Sequence, residues 1–579
     1  MTCAEIKQNL IKIIKKAVPE VSADFSFEFE IPPDPKMGDL GLTCFELAKV
    51  LKKKPVALAK FLANKITTNL LVVKAKNIGP YLNFFLNKKL WFEIVINEIL
   101  EKKEDFGLTN YGQKKIVLIE YSAPNTNKPQ HLGHLRNNFL GAAMAEILAK
   151  QGFRVIKVNL INDRGIHITK SMLAYQKWGA GKTPEDEKMK GDHFVGKYYL
   201  LFEKRSKEDP SLIEGAQALL RKWEKGDPET IALWQKMNQW ALEGFKETYK
   251  RIGVDFDKWY FESDIYQAGR EIVLQALKKG FCYRREDGAI EINLEKYGLG
   301  KKVLLRPDET SVYVIQDIGL AKIKHQEFKP TKSIYVVAAE QDLHFKILFT
   351  ILEVFGFPWA KNCYHLSYGL IFLPEGRMKS REGTVVEADE IMAEVESLAK
   401  SEILARNPNL SPLEVSERAR LIGLAALKFH LLKFTPSQTI DFKPKASISF
   451  EGATGSYLQY TYARIQSIVE KYQKEKEMSK EEISVNFYDL NKSEEVGLLK
   501  MLYLYPEVLF RSGFLYNPAY LANYLLDLAQ LFNSFYHKYQ VVRAESKEIS
   551  LARLRLAQAV GQVVKNGLEI LGIKVVKEM

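Results

Sequence analysis

The sequence predicts a multidomain protein with a doubly wound α/β domain at its centre, a small α+β domain before it and an all-helical bundle after it. Three observations support this prediction. At 579 residues the chain is too long for a single hydrophobic core. Between residues 113 and about 400 apolar strands alternate with helices. From residue 401 to 579 the pattern is helical throughout.

The first domain, residues 1–112, begins with an amphipathic helix, followed by an alternating strand at Phe25–Ile31. A basic helix over Leu47–Ile66 and a strand over Gly79–Asn87 complete it. Charge and stacking on nucleic acid would suit one set of its residues, but a solvated helix face and a packed sheet explain them somewhat better. These residues are Lys52, Lys53, Lys54, Tyr81, Phe84 and Phe85.

The central domain, residues 113–400, shows the strand–helix alternation of a Rossmann-like nucleotide-binding sheet. A helical, tryptophan-containing segment at about 175–300 interrupts the alternation. We interpret this segment as an insertion between two halves of the sheet. The strands are predicted in "KIVLIEYS", "FRVIKVNLIND", "KSIYVVAAE" and "HLSYGLIFL".

Composition limits the functional classes. The four cysteines, at positions 3, 44, 282 and 363, lie too far apart for a zinc pattern and indicate reduced thiols. No apolar run has the length of a membrane span, and the amino-terminal helix does not resemble a secretory signal. A cytoplasmic protein without membrane contact is expected. The net charge of +13 permits a nucleic-acid partner but does not establish one.

The first candidate site lies where the first strand of the central domain becomes a helix, in "APNTNKPQHLGHLRNN". His131 and His134 share one face of the first helical turn, and a helix amino terminus favours phosphate. Their N–H groups are suited to a triphosphate. Gly133 lets a purine or ribose approach the backbone. Taken alone, the pattern also fits two structural histidines that lie together by chance.

A second candidate element lies far downstream, in "SYGLIFLPEGRMKSREGTVVEADEIM". It places Met378, Lys379 and Arg381 in a glycine-flanked loop between a late strand and a helix. A strand–loop–HxGH–helix unit followed by such a basic loop resembles the class I aminoacyl-tRNA synthetases and the related nucleotidyltransferases. Two phosphate-handling elements in this order are much harder to obtain by chance than either one.

The segments around these two elements resemble a single family more specifically. "EYSAPNTNKPQHLGHLRN", "YVIQDIGLA", "AAEQDLHF" and "SFEGATGSYLQYTYARIQSI" resemble arginyl-tRNA synthetases, and the resemblance covers nearly the whole chain. It implies an arginine–tRNA ligase that makes arginyl-adenylate and transfers arginine to the 3′ end of tRNA(Arg) for protein synthesis. It also implies an amino-terminal domain on the tRNA elbow and a helical anticodon-binding domain. Mg-ATP would be a substrate, with no protein-bound metal or prosthetic group, and we expect a monomer.

The resemblance also implies roles for individual residues. A carboxylate with a phenol beside it suits a guanidinium, although Asp317 would also serve as an ordinary helix cap. The arginine α-groups would be held by Glu120, Ser122, Asn125 and His134, and its guanidinium by Tyr313, Asp317, Gln341 and a second carboxylate, Glu262. The ATP site would comprise His131, Gly133, His134, Met378 and Lys379, and the catalytic groups His131, His134, Lys128, Lys379 and Arg381.

Three positions depart from the family pattern. The phosphate loop reads "RMKSR" where KMSK is usual, and in relatives with such a loop a lysine ahead of HxGH takes over phosphate binding. Lys128 fits that position. Ala123 stands where some relatives have serine, and Glu309 stands where glycine is frequent.

Three other functions are alternatives to an arginine–tRNA ligase. A ligase for cysteine would need a thiol-selective metal site, which the scattered cysteines argue against. A small-molecule nucleotidyltransferase would leave the two outer domains without a role. A non-catalytic RNA-binding relative would be expected to lose the histidines or Asp317, which this chain keeps.

Overall fold

The architecture was analysed in a computed structural model of the full chain, which describes residues 1–22, 24–308, 312–372, 386–449, 452–479 and 485–578. It confirms the predicted fold class, with an α+β domain, a doubly wound central domain and a helical carboxyl-terminal bundle. Among the described residues, no helix has a stretch long and apolar enough to cross a bilayer.

The amino-terminal domain packs four helices against an antiparallel sheet in the order β1-β2-β4-β3. A capping box formed by Thr2 and Glu5 begins its first helix. The strands are β1 (Phe29–Glu30), β2 (Leu40–Thr43), β3 (Val72–Ile78) and β4 (Tyr81–Leu86), and the helices are α1 (Cys3–Ala17), α2 (Phe45–Val50), α3 (Pro55–Lys65) and α4 (Lys88–Lys102).

Two predictions for this domain were wrong in extent. The strand expected over 25–31 is only the two-residue β1. The basic helix expected over 47–66 is divided into α2 and α3. Pro55 causes the division, because proline is favoured in the first turn of a helix and disrupts a helix interior.

The central domain contains most of the remaining elements. Its helices are α5 (Leu132–Lys150), α6 (Ile166–Trp178), α7 (Gly191–Glu208), α8 (Ser211–Glu224), α9 (Pro228–Ile252), α10 (Glu262–Ile265), α11 (Ala268–Lys278), α12 (Tyr313–Phe328), α13 (Asp342–Val354) and α14 (Ala388–Arg406). Its strands are β5 (Ile116–Glu120), β6 (Arg154–Ile161), β7 (Lys258–Phe261), β8 (Tyr283–Arg284), β9 (Ile290–Asn293), β10 (Lys301–Leu305), β11 (Lys332–Ala338), β12 (Cys363–Tyr368) and β13 (Ile371–Phe372).

The main sheet is parallel, with strand order β12-β11-β5-β6-β7. Alternate residues of β5 enter the cores on opposite faces: Val117 and Ile119 on one side and Leu118 on the other. The strand order reverses between β5 and β11. A crevice at the carboxyl ends of these two strands is therefore the expected place for a ligand.

The segment predicted as one helical insertion is not continuous. The helices α7, α8 and α9 precede β7, which belongs to the main sheet. The helix α11 and a three-stranded antiparallel sheet, β10-β9-β8, follow it. A four-residue strand has too few residues to show a period, which is why the sequence pattern did not reveal β7.

The carboxyl-terminal bundle contacts both other domains. Lys500 on this bundle lies 3.3 Å from the carboxylate of Asp39 in the amino-terminal domain. Gln151, which follows α5, donates to the carbonyl of Leu509 at 3.0 Å. The elements of this region are α15 (Pro412–Leu432), β14 (Ile440–Asp441), α16 (Pro444–Ser447), α17 (Gly455–Ser479), α18 (Ser493–Phe514), α19 (Ala519–Lys538) and α20 (Lys547–Ile570).

A buried arginine on α5 joins the central domain to this last region. The Arg136 side chain is almost fully buried, and its guanidinium donates to the carbonyls of Gly369 and Leu370 before β13. It also donates to the carbonyls of Pro436 and Gln438 before β14, at 2.9 and 2.7 Å. Since β13 pairs with β14, one side chain fixes both chain segments on α5.

We predict that Arg136→Lys destabilises the protein by about 2–4 kcal/mol, because an ammonium cannot span both pairs of carbonyls and leaves buried acceptors unpaired. Thermal unfolding followed by circular dichroism measures the effect. Arg205→Lys, at the exposed ion pair with Glu208, is the matched control and should change little. Equal melting temperatures for the two variants would contradict the role of Arg136.

Candidate active site

The loop between β5 and α5 is held in an unusual backbone conformation. Ser122 and Ala123 have φ angles of +79° and +46°, which side-chain-bearing residues rarely adopt. Their amides donate to buried asparagines: Ser122 to Asn137 at 2.6 Å and Ala123 to Asn159 at 3.1 Å. Strained backbone that is fixed by buried side chains is typical of functional loops.

His131 and His134 cap the amino terminus of α5 with their own rings. The Nδ1 atom of His131 accepts from the amide of Gly133 at 3.1 Å, and that of His134 accepts from the amide of His131 at 3.2 Å. A ring nitrogen that accepts carries no proton, so both imidazoles are neutral and carry their proton on Nε2. Each ring therefore has one N–H that its own cap does not use.

Burial keeps both rings neutral. It lowers the pKa of His131 to about 4, with a further contribution from the charge of Lys128. The pKa of His134 is lowered well below its usual range by burial and then by His131 and Lys128. A Cβ on Gly133 would lie only 2.9 Å from the His131 ring, so a side chain there would displace the imidazole.

Lys128 supplies positive charge beside these histidines. It is partly buried, and burial lowers its pKa. Within the described ranges it makes no ion pair. A cation that is removed from water without a counterion is poised to bind an anion.

A group of carboxylates lies at the same edge of the sheet. Glu262 follows β7, and burial raises its pKa to about 7; the charges of Asp163 and Asp317 add to this effect, against that of Arg164. Asp163 follows β6, is buried, and accepts from the amide and hydroxyl of Ser263 at 2.9 and 2.7 Å. Carboxylates crowded in this way are suited to a cation.

Asp317 is only partly engaged. Its Oδ2 lies 2.7 Å from Nε2 of His344, whose pKa this hydrogen bond raises. Gln341, just after β11, is exposed. Tyr313 begins α12 and has 77% of its surface exposed, so its ring is not enclosed by the residues that the structure describes.

The residues expected at the arginine α-groups differ in exposure. Glu120 is buried in an ion pair with Lys324 at 2.7 Å. The Ser122 hydroxyl is also buried and lies 2.6 Å from that of Tyr249. Asn125 is exposed and forms a bridge with Asn162, directly after β6.

Several candidate residues lie outside the described residues. These are Met378, Lys379 and Arg381, with Arg377 of the same loop, and Glu309. The described candidates Lys128, His131, His134, Asp317 and Glu262 lie around the carboxyl edge of one sheet.

Sequence reasoning missed Asp163, His344 and Lys324. Asp163 carried a usable signal, because it directly follows a predicted strand at the carboxyl edge of the sheet. His344 and Lys324 face partners 27 and 204 residues away in sequence. A local pattern contains no information on such pairs.

Comparison with known proteins gives concordant matches along the chain. Residues 95–441 match the family described as tRNA synthetases class I (R), catalytic domain. Residues 458–579 match the DALR anticodon binding domain, and residues 4–86 match the arginyl tRNA synthetase N terminal domain.

Similar curated proteins include the arginine–tRNA ligase of Parabacteroides distasonis, 43% identical over 94% of each chain. That of Treponema denticola is 44% identical over 97% of this chain and 96% of its own. Among solved structures, the Thermus thermophilus arginyl-tRNA synthetase superposes with a TM-score of 0.80 at 27% identity, covering 99% of this chain and all of that one.

We predict that His131 and His134 stay neutral, with the proton on Nε2, from pH 8 down to about pH 5. Since folded His131 takes up its proton near pH 4 and an unfolded histidine near pH 6.5, the free energy of unfolding should fall as the pH falls through this window. NMR of isotope-labelled histidine, assigned with His131→Gln and His134→Gln, measures the protonation state and tautomer of both rings, and denaturant unfolding at a series of pH values measures the free energy of unfolding. His193, whose pKa is raised to about 10, is the protonated control. Protonation of either ring near pH 6.5 would contradict the capping geometry.

Proposed function

We propose how this chain, which belongs to the arginyl-tRNA synthetase family, divides its site among its substrates. The protein is an arginine–tRNA ligase: it activates arginine with ATP and transfers it to tRNA. One observation carries the residue assignment. A cation and two neutral N–H donors stand at the carboxyl edge of the same sheet as a group of crowded carboxylates.

Lys128, His131 and His134 are proposed to hold the phosphates of ATP. The carboxylate of arginine attacks the α-phosphorus, the bond to pyrophosphate breaks, and negative charge grows on the phosphoryl oxygens. Lys128 and the two Nε2–H groups would bind that charge more strongly in the transition state than in the ground state. Neutral imidazoles suit this role because two imidazolium ions beside Lys128 would repel each other.

Four further residues and Mg²⁺ are proposed around ATP. Gly133 would leave room for the nucleoside, and Mg²⁺ would enter as part of the nucleotide substrate. From the second element, Met378 would contact the nucleoside, while Lys379 and Arg381 would add charge at the phosphates, as their positions in the family imply.

Asp317 and Glu262 are proposed to pair with the arginine guanidinium, with Tyr313 and Gln341 beside it. Asp163 and Asp317 lie close enough to raise the pKa of Glu262, so the pocket brings three carboxylates together. A bound guanidinium would supply positive charge and keep Glu262 ionised. Glu120, Ser122 and Asn125, after β5, are proposed for the α-ammonium and α-carboxylate.

The outer domains are proposed to bind tRNA. On the amino-terminal domain, residues 1–112, the aromatic residues Phe45, Phe61 and Tyr81 are exposed. The ammonium of Lys53 lies 5.2 Å from the Phe61 ring centre, which is the mixture of charge and stacking that suits RNA. We propose that this surface contacts the tRNA elbow and that residues 401–579 contact the anticodon.

The four cysteines are free thiols, three of them buried. We therefore propose that the protein works in a reducing cytoplasm, and we propose that it does so as a monomer.

We predict that Lys128→Ala lowers arginine-dependent ATP–pyrophosphate exchange at least as much as Lys379→Ala does. Losing a positioned group that meets developing charge costs about 2.7–4 kcal/mol, or two to three orders of magnitude in rate. Steady-state exchange with saturating tRNA measures both variants. Lys177→Ala, on the exposed face of α6, is the control. A harmless Lys128→Ala would return the role to residues 377–381.

We predict that Asp317→Asn loses most arginine activation and narrows the preference for arginine over citrulline. The wild type should reject lysine and citrulline by about a thousandfold or more, because neither completes the ionic fork and citrulline leaves a partly buried carboxylate unpaired. Charging of tRNA with the three amino acids measures the preference, with the exposed Asp255→Asn as control. Comparable wild-type charging of citrulline would overturn the proposed pocket. If Asp317→Asn keeps the normal preference for arginine over citrulline, the pocket stands but Asp317 is not the source of that preference.

A further inference from the structure

The helix α7 touches the loop that carries Lys128. A Cβ placed on Gly196 of α7 would lie 2.7 Å from the Cδ of Pro129 and 3.5 Å from the Cα of Lys128. Helix and loop are therefore in direct contact, with no space for a side chain between them. A helix of the insertion thus forms part of the wall behind the proposed phosphate site.

One turn earlier on α7, His193 is held between two carboxylates of the α14 amino terminus. Its Nδ1 lies 2.9 Å from Glu387 and its Nε2 lies 2.9 Å from Asp389. Burial acts to lower the pKa of His193, but the hydrogen bonds to Asp389 and Glu387 outweigh it and raise the pKa to about 10. The ring is therefore an imidazolium that donates from both nitrogens across the working pH range.

Other charges complete this cluster. Lys190 lies 3.2 Å from Asp192 and 2.7 Å from Asp389, and Arg251 lies 3.2 Å from Asp389. The carboxylates of Asp192 and Asp389 with the ring of His193 have the spacing of metal ligands, within 4.8 Å of one another. The ammonium of Lys190 occupies the position between the two aspartates, so the cluster is an ion-pair network rather than a metal site.

Glu387 links His193 to His131: its side chain pairs with the His193 ring, and its backbone pairs with that of His131. The backbones of His131 and Glu387 form an antiparallel bridge. The amide of Leu132 donates to Val386 at 3.2 Å, and that of Ala388 donates to Gln130 at 2.8 Å. A shift of residues 386–388 would therefore also shift the backbone of the HxGH motif.

We propose that His193 is a positioning residue for adenylate formation, which acts by holding Glu387 and Asp389 so that residues 386–388 keep the backbone of His131 in place. The proposal rests on the phosphate role given above to Lys128, His131 and His134. It assigns to α7 a part in catalysis although no side chain of this helix is proposed to touch a substrate.

His193→Gln should lower the kcat of arginine-dependent ATP–pyrophosphate exchange about 10- to 100-fold, as expected for reacting groups displaced by a fraction of an ångström to an ångström. The KM for arginine should stay within about twofold, because the carboxylates proposed for the guanidinium lie after other strands and on α12. His193→Arg, which keeps the charge and several donors, should recover part of the loss. Lys197→Gln, on the same helix, breaks the ion pair with Glu187, which lies before α7. It is the matched control and should change neither constant.

A double-mutant cycle separates this role from general loss of structure. If His193 acts through Glu387, then His193→Gln with Glu387→Gln should be little worse than the more damaging single variant. His193→Gln with Lys197→Gln should be additive. Gly196→Ala, which presses on Pro129, should also lower kcat, whereas Gly215→Ala on α8 should not, since a Cβ there meets only the end of Leu173.

Three results would overturn the proposal: unchanged kcat in His193→Gln, equal damage to kcat and to the KM for arginine, or additivity with Glu387→Gln. A wild type without arginine-dependent exchange would instead contradict the assigned activity. An active wild type in which Lys128→Ala is harmless would contradict the phosphate assignment. The failure of the inference is therefore distinguishable from the failure of its premises.

Discussion

The arrangement of the site depends on three consecutive buried polar residues that follow the HxGH motif on α5. Arg136 binds four carbonyls before β13 and β14. Asn137 accepts from the Ser122 amide and donates to the Val336 carbonyl in β11. Asn138 donates to the Gln130 side chain at 2.9 Å. One turn of helix thus fixes the loop before it, a neighbouring strand and the start of the carboxyl-terminal region.

Such anchors give a precision that apolar packing does not. A buried polar side chain is stable only when its hydrogen bonds are made, so Arg136 and Asn137 each admit one arrangement of their partners. The HxGH turn begins α5 and is paired with the backbone of residues 386–388, and the loop before it packs against α7. The imidazoles of His131 and His134 can then remain neutral and capped, while their Nε2–H groups make no hydrogen bond to the residues that the structure describes.

The sequence predicted those features that have a strong local period or a specific motif. The helices α15, α17, α19 and α20 and the strands β5, β6, β11 and β12 could be predicted because their apolar residues recur at helical or strand spacing. The helix α18 contains Pro506, and because a proline usually ends a helical pattern, the sequence does not show α18 as one continuous helix. The four-residue β7 is too short to show a period, and the alternation over residues 25–31 predicted a longer strand than the two-residue β1.

In the candidate site, local sequence patterns indicated His131, His134, Lys128 and Asp317. They did not indicate the residues that hold these side chains in place. His193 and Asp389 lie 196 residues apart, and Lys324 and Glu120 lie 204 apart. Each pair depends on where the fold brings distant helices and strands together. A motif indicates the groups that are proposed to meet a ligand, whereas the groups that orient them become visible only in three dimensions.

The distribution of charge along the proposed arginine pocket follows that of the amino acid. At the α-group end, Lys324 offsets the charge of Glu120, and its ammonium lies 4.2 Å from the ring centre of Tyr335. That end is close to neutral, as is the zwitterionic end of arginine. At the other end Asp163, Glu262 and Asp317 are crowded, and burial with mutual repulsion raises the pKa of Glu262 to about 7. A guanidinium relieves that repulsion because it is a permanent cation with donors in one plane. Under the proposed assignment, selection for arginine therefore arises at the end of the pocket where the carboxylates are crowded. At the other end, where the amino acid reacts with ATP, Lys324 neutralises Glu120, so no net negative charge there opposes the approach of the phosphates.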